Sequence, residues 1–236
     1  MKLLRERMAE DLRIRNYSPR TVDCYVSMMA RFAGEFDRPP GQLGPAEIRA
    51  FQVRMIEQKV SWTQFNQAVC ALRFFYRVTL PRDFAVDCIP HAKTKKKLPT
   101  VLSVDEVRRL LAVPMCLKHR AMLSLIYATG ARLTEATHLR VSDIDGARMT
   151  VHIRNGKGGR PRMVPMSAAL RELLRDYWHE AHPRDHLFPG LEPGRPLHQT
   201  SVQHAFGKAR MVARIDKPAS VHTLRHSYAT HLLGSG

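Results

Sequence analysis

The sequence predicts a mainly α-helical protein with a small antiparallel β-sheet (an α+β class), organised as two domains. Three observations lead to this fold class. Apolar side chains recur at helical spacing through most of the 236 residues. One stretch near residue 150 instead alternates apolar with polar side chains, which is strand spacing. Pro90–Pro99 combines two prolines with four lysines and offers almost nothing to bury.

Residues 1–89 are predicted to form a bundle of four helices. Ser18 is suited to be an N-cap ahead of a proline at the first helical position, and Gly44-Pro45 repeats this start signal. A further helix is expected from about Ser61. Residues 90–100 are then predicted to be a basic interdomain linker. The apolar stripes of the helices comprise Val22, Tyr25, Val26, Met29, Phe32, Ile48, Phe51, Met55, Ile56, Phe65, Val69, Leu72, Phe75 and Tyr76.

Residues 101–236 are predicted to form the second domain. Ser103 and Glu106 have the spacing of a capping box, so a helix begins there. A buried helix from about Leu117 should end at Gly130. Two strands follow, joined by a turn at Asn155-Gly156, and three further helices complete the pattern. The strands are expected at 149–154 and 162–165, and the helices at about 167–181, 200–213 and 222–233.

The charge of the chain indicates a polyanionic partner. The sequence has 38 lysines and arginines against 21 aspartates and glutamates, a formal net charge of +17. Neutralising phosphates releases counterions, so this balance favours nucleic acid, although a generically basic surface or binding to anionic membranes would also fit. No apolar run approaches the ~20 residues of a membrane span, and the start lacks a secretory signal. A soluble, cytoplasmic protein that does not enter a membrane is therefore expected.

The four cysteines are widely spaced and include no C-x-x-C pair. This spacing argues against a zinc ribbon and against a redox motif. We interpret them as reduced and structural.

The first candidate site segment is Thr129–Glu135. Gly130 can end a helix in the left-handed conformation, and Arg132 then stands at the opening of the next helix, where backbone N–H groups favour a phosphate. Glu135 shares a helix face with Arg132 and is interpreted as orienting it or as local packing. An ordinary surface pair of arginine and glutamate would give the same spacing.

The second segment is the hairpin tip, Arg154–Arg162. Its three glycines permit close approach to a DNA backbone, and Lys157 at the apex can reach a groove or a scissile phosphate. A solvated basic turn is the alternative. It is not a nucleotide-binding P-loop, because Gly158 and a returning strand follow Lys157. Together with the linker, the segment supplies the predicted DNA contacts Lys93, Lys95, Lys96, Lys97, Arg154, Arg160 and Arg162.

The third segment is Val221–Leu233. On a helix, His222 and Arg225 lie three residues apart on one polar face, whereas Leu224, Tyr228 and Leu232 form an apolar stripe toward the core. His222 and His226 have the i, i+4 spacing of metal ligands, but the general-base glutamate of H-E-x-x-H is missing and no third ligand is evident. We therefore predict no metal site.

These motifs, in this order, resemble the tyrosine recombinases, the family of phage and integron integrases and Xer-type recombinases. The matching motifs are G-x-R-x-x-E, then a hairpin with G-K-G-G-x-x-R-x-V-P, then H-T-L-R-H-S-x-A-T. The N-terminal Y-S-P-x-T segment is similar to the family's core-binding (SAM-like) domain, and the remainder to its catalytic domain. The resemblance covers nearly the whole chain, and the H-x-L-R-H match is highly specific.

The resemblance implies site-specific recombination or integration of double-stranded DNA without metal or cofactor. Arg132 and Arg225 match the family's two catalytic arginines, His222 its first histidine and Lys157 its hairpin lysine. Two guanidinium forks and an imidazole would stabilise the charge that develops on the phosphate oxygens, and Lys157 would protonate the departing 5′-oxygen. A 3′-phosphotyrosyl intermediate and assembly as a tetramer on DNA are implied in the same way.

The sequence departs from the family pattern at its C-terminal end. A further helix, a G-H motif and the nucleophilic tyrosine are expected after the Arg225 helix, but the sequence stops at Gly236. Tyr228 lies on the apolar stripe and is rejected as a nucleophile. The chain is thus expected to be a truncated recombinase that binds DNA and activates a phosphate but is inactive alone. The alternative is a non-catalytic DNA-binding remnant that occupies recombination sites or interferes with a full-length enzyme.

Overall fold

The protein is described by a computed structural model over residues 2–82, 89–93, 98–154 and 160–234. The chain divides into two compact units, Met1–Lys96 and Lys97–Gly236. Helices dominate both units, and the described residues contain one three-stranded antiparallel sheet. The predicted fold class is confirmed. No helix within these described ranges is both long and apolar enough to span a membrane.

The first unit is a helical bundle whose helices begin where the local signals place them. The Ser18 hydroxyl accepts a hydrogen bond from the Thr21 backbone N–H, and Ser61 caps its helix in the same way. Phe32, Phe51 and other apolar side chains fill a common core. The helices are α1 (Lys2–Ile14), α2 (Pro19–Phe36), α3 (Pro45–Glu57) and α4 (Trp62–Phe74), with a 3₁₀ turn at Pro40–Gln42 and a π-helical turn at Phe75–Thr79.

The described residues of the second unit form six helices and the sheet around a separate core. Ser103 and Glu106 form the predicted capping box, and Ser167 caps a later helix. Leu123, Leu125 and Leu224 are among its fully buried side chains. The helices are α5 (Val104–Ala112), α6 (Leu117–Thr129), α7 (Leu133–Thr137), α8 (Ala168–Ala181), α9 (Gln199–Val212) and α10 (Val221–Gly234), with a 3₁₀ turn at Val141–Asp143.

The sheet has the order β1 (Ile144–Asp145), β2 (Thr150–Ile153) and β3 (Arg162–Pro165). Its register pairs Val151 with Val164 and Ile153 with Arg162. The buried side chains of β2, Val151 and Ile153, alternate with half-exposed ones, as the period-two pattern predicts. Strand β1 was not predicted, because two residues are too few to show a period.

Two apolar stripes extend less far into the core than their spacing suggests. Ile56 is 50% exposed at the end of α3, and Leu232 is 59% exposed in the last turn of α10. The prediction that Leu232 faces the core is wrong for that residue, whereas Leu224 on the same stripe is fully buried. Helical spacing gives a direction around the helix axis but not the length over which a neighbouring element covers that face.

Candidate phosphate-binding site

Gly130 brings the first site segment close to α10. It ends α6 in the left-handed region, with φ of +60°, which favours glycine. A Cβ atom at this position would lie 2.5 Å from Cδ1 of Tyr228. The tyrosine ring therefore packs directly on the glycine, and a side chain at position 130 would separate α10 from the start of α7.

Helix α10 carries the third site segment and is anchored on both sides. The hydroxyl of the fully buried Ser227 accepts a hydrogen bond from the Leu102 backbone N–H at 2.9 Å and donates to the Thr223 carbonyl. From the same helix, Nη1 of Arg225 donates a hydrogen bond to the Gly130 carbonyl oxygen. Arg225 is thus held beside the segment that carries Arg132, although the two residues are far apart in sequence.

Glu135 organises the arginines next to this contact. Its side chain is only 3% exposed. Oε1 accepts a hydrogen bond from Arg132 Nη1 at 2.5 Å, and Oε2 accepts one from Arg162 Nη2 at 2.7 Å. Oε2 also accepts the Arg132 backbone N–H at 2.9 Å. The predicted orienting role of Glu135 toward Arg132 is consistent with these contacts. One of the backbone N–H groups expected to favour a phosphate, that of Arg132, is instead occupied by the carboxylate.

The site is strongly electropositive. Burial and the neighbouring charges of Arg132 and Arg162 lower the pKa of Arg225 from its ordinary value, while Glu135 acts in the opposite direction. Three guanidinium groups and one carboxylate therefore act on one another within a small volume. Burial alone would raise the pKa of Glu135, but hydrogen bonds from Arg162 and Arg132 outweigh it and bring the pKa to about 2.

His222 lies one turn before Arg225, and its side chain is exposed but partly desolvated by its neighbours. Its ring meets that of His226 edge to face, with 4.6 Å between the ring centroids. Burial, followed by the charges of His226, Arg225 and Arg132, lowers its pKa below 6.5. The lowered pKa favours the neutral imidazole, which keeps one ring N–H able to donate to an anion.

The predicted site residues are only partly brought together. The structure places Arg132, His222 and Arg225 within one electrostatic neighbourhood. Lys157 lies outside the described residues, as do Lys95, Lys96 and Lys97. Their roles stay predictions.

The remaining predicted DNA contacts differ in their surroundings. Lys93 and Arg160 are exposed. Arg154 donates from Nε to Asp143 Oδ1 at 2.5 Å. Arg162 instead joins the site through Glu135, a role that its spacing in the sequence did not reveal. Arg162 reaches α7 because β3 pairs antiparallel with β2, and this pairing cannot be read from the spacing.

The tyrosines of the second unit are all engaged in packing or hydrogen bonding. Tyr228 packs on Gly130, and the Tyr127 hydroxyl lies 2.9 Å from His231 Nδ1. Tyr177 is 1% exposed and stacks on Phe188, and burial raises its pKa to about 12. A phenol in such an environment is poorly suited to attack a DNA phosphate.

Comparison with known proteins identifies the family. Residues 100–236 match the Phage integrase family, and residues 4–85 match the Phage integrase N-terminal SAM-like domain. The chain belongs to the phage integrase family of tyrosine recombinases. The resemblance inferred from the motifs is confirmed.

The sequence similarity to relatives extends over almost all of the chain. A Sinorhizobium fredii protein named as an integrase/recombinase is 42% identical over 238 residues, which span 100% of this chain and 77% of that protein. Tyrosine recombinase XerC of Anoxybacillus flavithermus is 30% identical over 246 residues, spanning 94% and 81%. Lambda integrase, solved as a tetramer bound to a Holliday junction, shares the fold with a TM-score of 0.78 and 18% identity, over 97% of this chain and 68% of that one.

Proposed function

We propose that this recombinase binds duplex DNA and polarises one phosphodiester with Arg132, His222 and Arg225. One observation supports the proposal above all others. The Arg225 guanidinium donates to the carbonyl of Gly130, two residues before Arg132, while Glu135 accepts a hydrogen bond from the Arg132 guanidinium. Two guanidinium groups and an imidazole thus act within one electrostatic neighbourhood, for which a phosphate would be the natural anion.

The reaction we assign to the site is transesterification. A hydroxyl oxygen attacks phosphorus and releases its proton to solvent, the bond to the 5′-oxygen breaks, and negative charge grows on the two non-bridging oxygens in the transition state. Arg132 and Arg225 stabilise this charge, and His222 donates one further hydrogen bond. Lys157 protonates the departing 5′-oxygen. The energy of the phosphodiester is retained in the new ester bond and remains available for religation.

None of the six tyrosines of the sequence is proposed as the attacking group. The contacts of Tyr228, Tyr127 and Tyr177 support packing roles, and burial raises the pKa of Tyr76 well above its ordinary range. The rings of the remaining two, Tyr17 and Tyr25, contact each other and Phe74. Suicide DNA substrates, which trap a covalent protein–DNA adduct, should therefore give no adduct with these 236 residues. An adduct that disappears in Tyr228→Phe would contradict the packing role of that ring.

Phosphate activation can be tested without a protein nucleophile. The probe is thymidine 3′-(p-nitrophenyl phosphate), in which water attacks phosphorus, the bond to p-nitrophenolate breaks and a proton is released to solvent. The leaving group needs no general acid, so Lys157 does not contribute. We expect Arg225→Ala to lower kcat/KM for p-nitrophenolate release by roughly 100-fold, the usual effect of removing one donor to a developing oxyanion.

The control measures DNA affinity separately from activation. Fluorescence anisotropy with duplex DNA should give a Kd that weakens steeply with salt and changes little in Arg225→Ala, because many phosphate contacts share the binding free energy. Release that is equal in the wild type and in Arg225→Ala would contradict phosphate activation. The same result with intact DNA binding would support the alternative of a non-catalytic DNA-binding protein.

The partner and the assembly are proposed from the relatives. The lambda integrase structures contain DNA core sites and a Holliday junction, and one of them is a tetramer. We propose double-stranded DNA as the partner of this chain and a tetramer on DNA as its assembly. The net charge of +17 supports the first of these. A cytoplasmic location stays a prediction.

A further inference from the structure

Arg162 connects the sheet to the candidate site. It is the first residue of β3 and pairs with Ile153 across the ladder. Its guanidinium leaves the sheet and donates from Nη2 to Glu135 Oε2 at 2.7 Å. The side chain is 32% exposed, so most of its surface is in contact with protein. A basic residue beside a hairpin tip is normally interpreted as a DNA contact, but this geometry indicates a role within the protein, as a partner of Glu135.

The Glu135 carboxylate uses both of its oxygens. Oε1 receives the Arg132 guanidinium, and Oε2 receives the Arg132 backbone N–H together with Arg162. A carboxylate that is 3% exposed has little access to water, so a lost donor is not readily replaced. Without Arg162, one oxygen would keep only a backbone N–H, and the carboxylate would be free to turn toward a new donor.

The charges of the three groups give Arg162 a second effect. If Arg132 were the only cation on Glu135, the pair would be formally neutral and its attraction for a phosphate would be largely cancelled. Arg162 offsets the carboxylate, so that the charge of Arg132 remains available to an anion. Burial is the main cause of the lowered pKa of Arg225, and the further lowering by the charges of Arg132 and Arg162 is consistent with this residual positive potential.

We propose that Arg162 is a positioning residue, which acts through Glu135 to orient the Arg132 guanidinium and to keep its charge available for the scissile phosphate. This inference rests on the proposed function of Arg132. Arg162 itself need not touch the phosphate. The competing role for the same side chain is a direct contact with the DNA backbone.

The two roles predict different responses to substitution. Arg162→Met should lower kcat for release from thymidine 3′-(p-nitrophenyl phosphate) roughly tenfold or more, because small displacements of a catalytic group are costly. The salt dependence of duplex binding should not change. Arg162→Lys keeps the positive charge and can still donate to Glu135, so it should restore part of kcat. Arg140→Met is the control, because Arg140 is also an arginine of the second unit paired with a carboxylate, Asp185, and lies outside the site.

A direct phosphate contact would give the opposite pattern. Arg162→Met would then reduce the slope of log Kd against log salt by about one and leave kcat for the small probe unchanged. That result would overturn the positioning role. Equal loss of kcat in Arg140→Met would also overturn it, because the effect would then be a general loss of structure.

An NMR measurement separates this proposal from the proposed function. The Arg132 Nη1–H group, which donates to Glu135, should exchange with water several-fold faster in Arg162→Met than in the wild type or in Arg140→Met, whether or not the probe is hydrolysed. If the wild type releases no more p-nitrophenolate than Arg225→Ala, the proposed function fails while the exchange result still tests the connection from Arg162 to Arg132. Unchanged exchange would overturn the connection itself.

Discussion

Two buried carboxylates, Glu135 and Asp143, occupy the same position in two successive elements of the second unit. Glu135 is the third residue of α7, and Asp143 is the third residue of the 3₁₀ turn that follows. Each follows an arginine by three residues and accepts the backbone N–H of that arginine at 2.9 Å. Their side chains are 3% and 2% exposed. Each also binds an arginine from the hairpin strands or their ends. In the sequence the two segments are nearly indistinguishable, as Arg-x-x-Glu and Arg-x-x-Asp.

The two carboxylates differ in which guanidinium groups they bind. Glu135 binds the guanidinium of its own cap residue and that of Arg162, so two cations share one anion beside the candidate site. Asp143 binds Arg154, and the guanidinium of its cap residue lies 3.5 Å from Asp185. Both carboxylates thus accept a backbone N–H at the start of a helical turn. At Asp143 this contact serves only local structure, whereas we infer that Glu135 also orients the Arg132 guanidinium for the reaction.

Neutralising each carboxylate in turn should show the difference between Glu135 and Asp143 most clearly. Glu135→Gln removes the charge that holds two guanidinium groups, so we expect kcat for release from thymidine 3′-(p-nitrophenyl phosphate) to fall roughly tenfold or more. Asp143→Asn should leave kcat within about twofold of the wild type. Equal losses in the two variants would mean that the Glu135 cluster has no special connection to the reaction.

The two variants should be closer in stability than in activity. Breaking a buried ion pair costs about 3 to 5 kcal/mol, and the partial exposure of the arginine partners reduces this. We expect the free energy of unfolding in urea to fall by about 2 to 3 kcal/mol for Glu135→Gln and by about 1 to 2 kcal/mol for Asp143→Asn. A stability loss confined to one variant would show that the two carboxylates are not structural equivalents.

Much of this site follows from local signals in the sequence. Gly130 ends α6 and Arg132 begins α7 as predicted, because a left-handed glycine and a helix start depend on neighbouring residues alone. The fold class and the helices of the second unit follow from periodicity in the same way. Serine caps in both units fix the helix starts closely.

The connections between segments could not be predicted. That Arg162 joins Glu135 depends on strand register, and that Arg225 reaches the Gly130 carbonyl depends on how α10 packs on α6. Spacing along one segment contains no information about either contact. The close approach of Tyr228 to Gly130 was missed for the same reason.

The pKa of Glu135 predicts a dependence of stability on pH. In the folded protein it is about 2, against an ordinary value of 4.5, so protons bind more readily to the unfolded chain. The stabilisation is therefore complete above about pH 4.5 and is lost as the pH falls toward 2. Between pH 5 and pH 3, on the order of 1 to 2 kcal/mol should disappear from the free energy of unfolding.

Glu135→Gln gives the control for this pH dependence. It lacks the titrating carboxylate, so its free energy of unfolding should fall less steeply over the same interval. Urea titrations at several pH values would measure both slopes. Identical slopes would indicate that other carboxylates account for acid sensitivity, and that hydrogen bonds from Arg162 and Arg132 do not hold Glu135 ionised.

The smallest expected effect is on the titration of His222. Burial lowers its pKa below 6.5, and the charges of His226, Arg225 and Arg132 lower it further. Arg225→Ala removes one of these charges, so the pKa should rise, as measured from the ring C–H shifts by NMR. Asp143→Asn changes charge outside this cluster and should leave the titration unchanged. If the pKa of His222 does not change in Arg225→Ala, the two side chains do not interact electrostatically. They could not then bind the same phosphate.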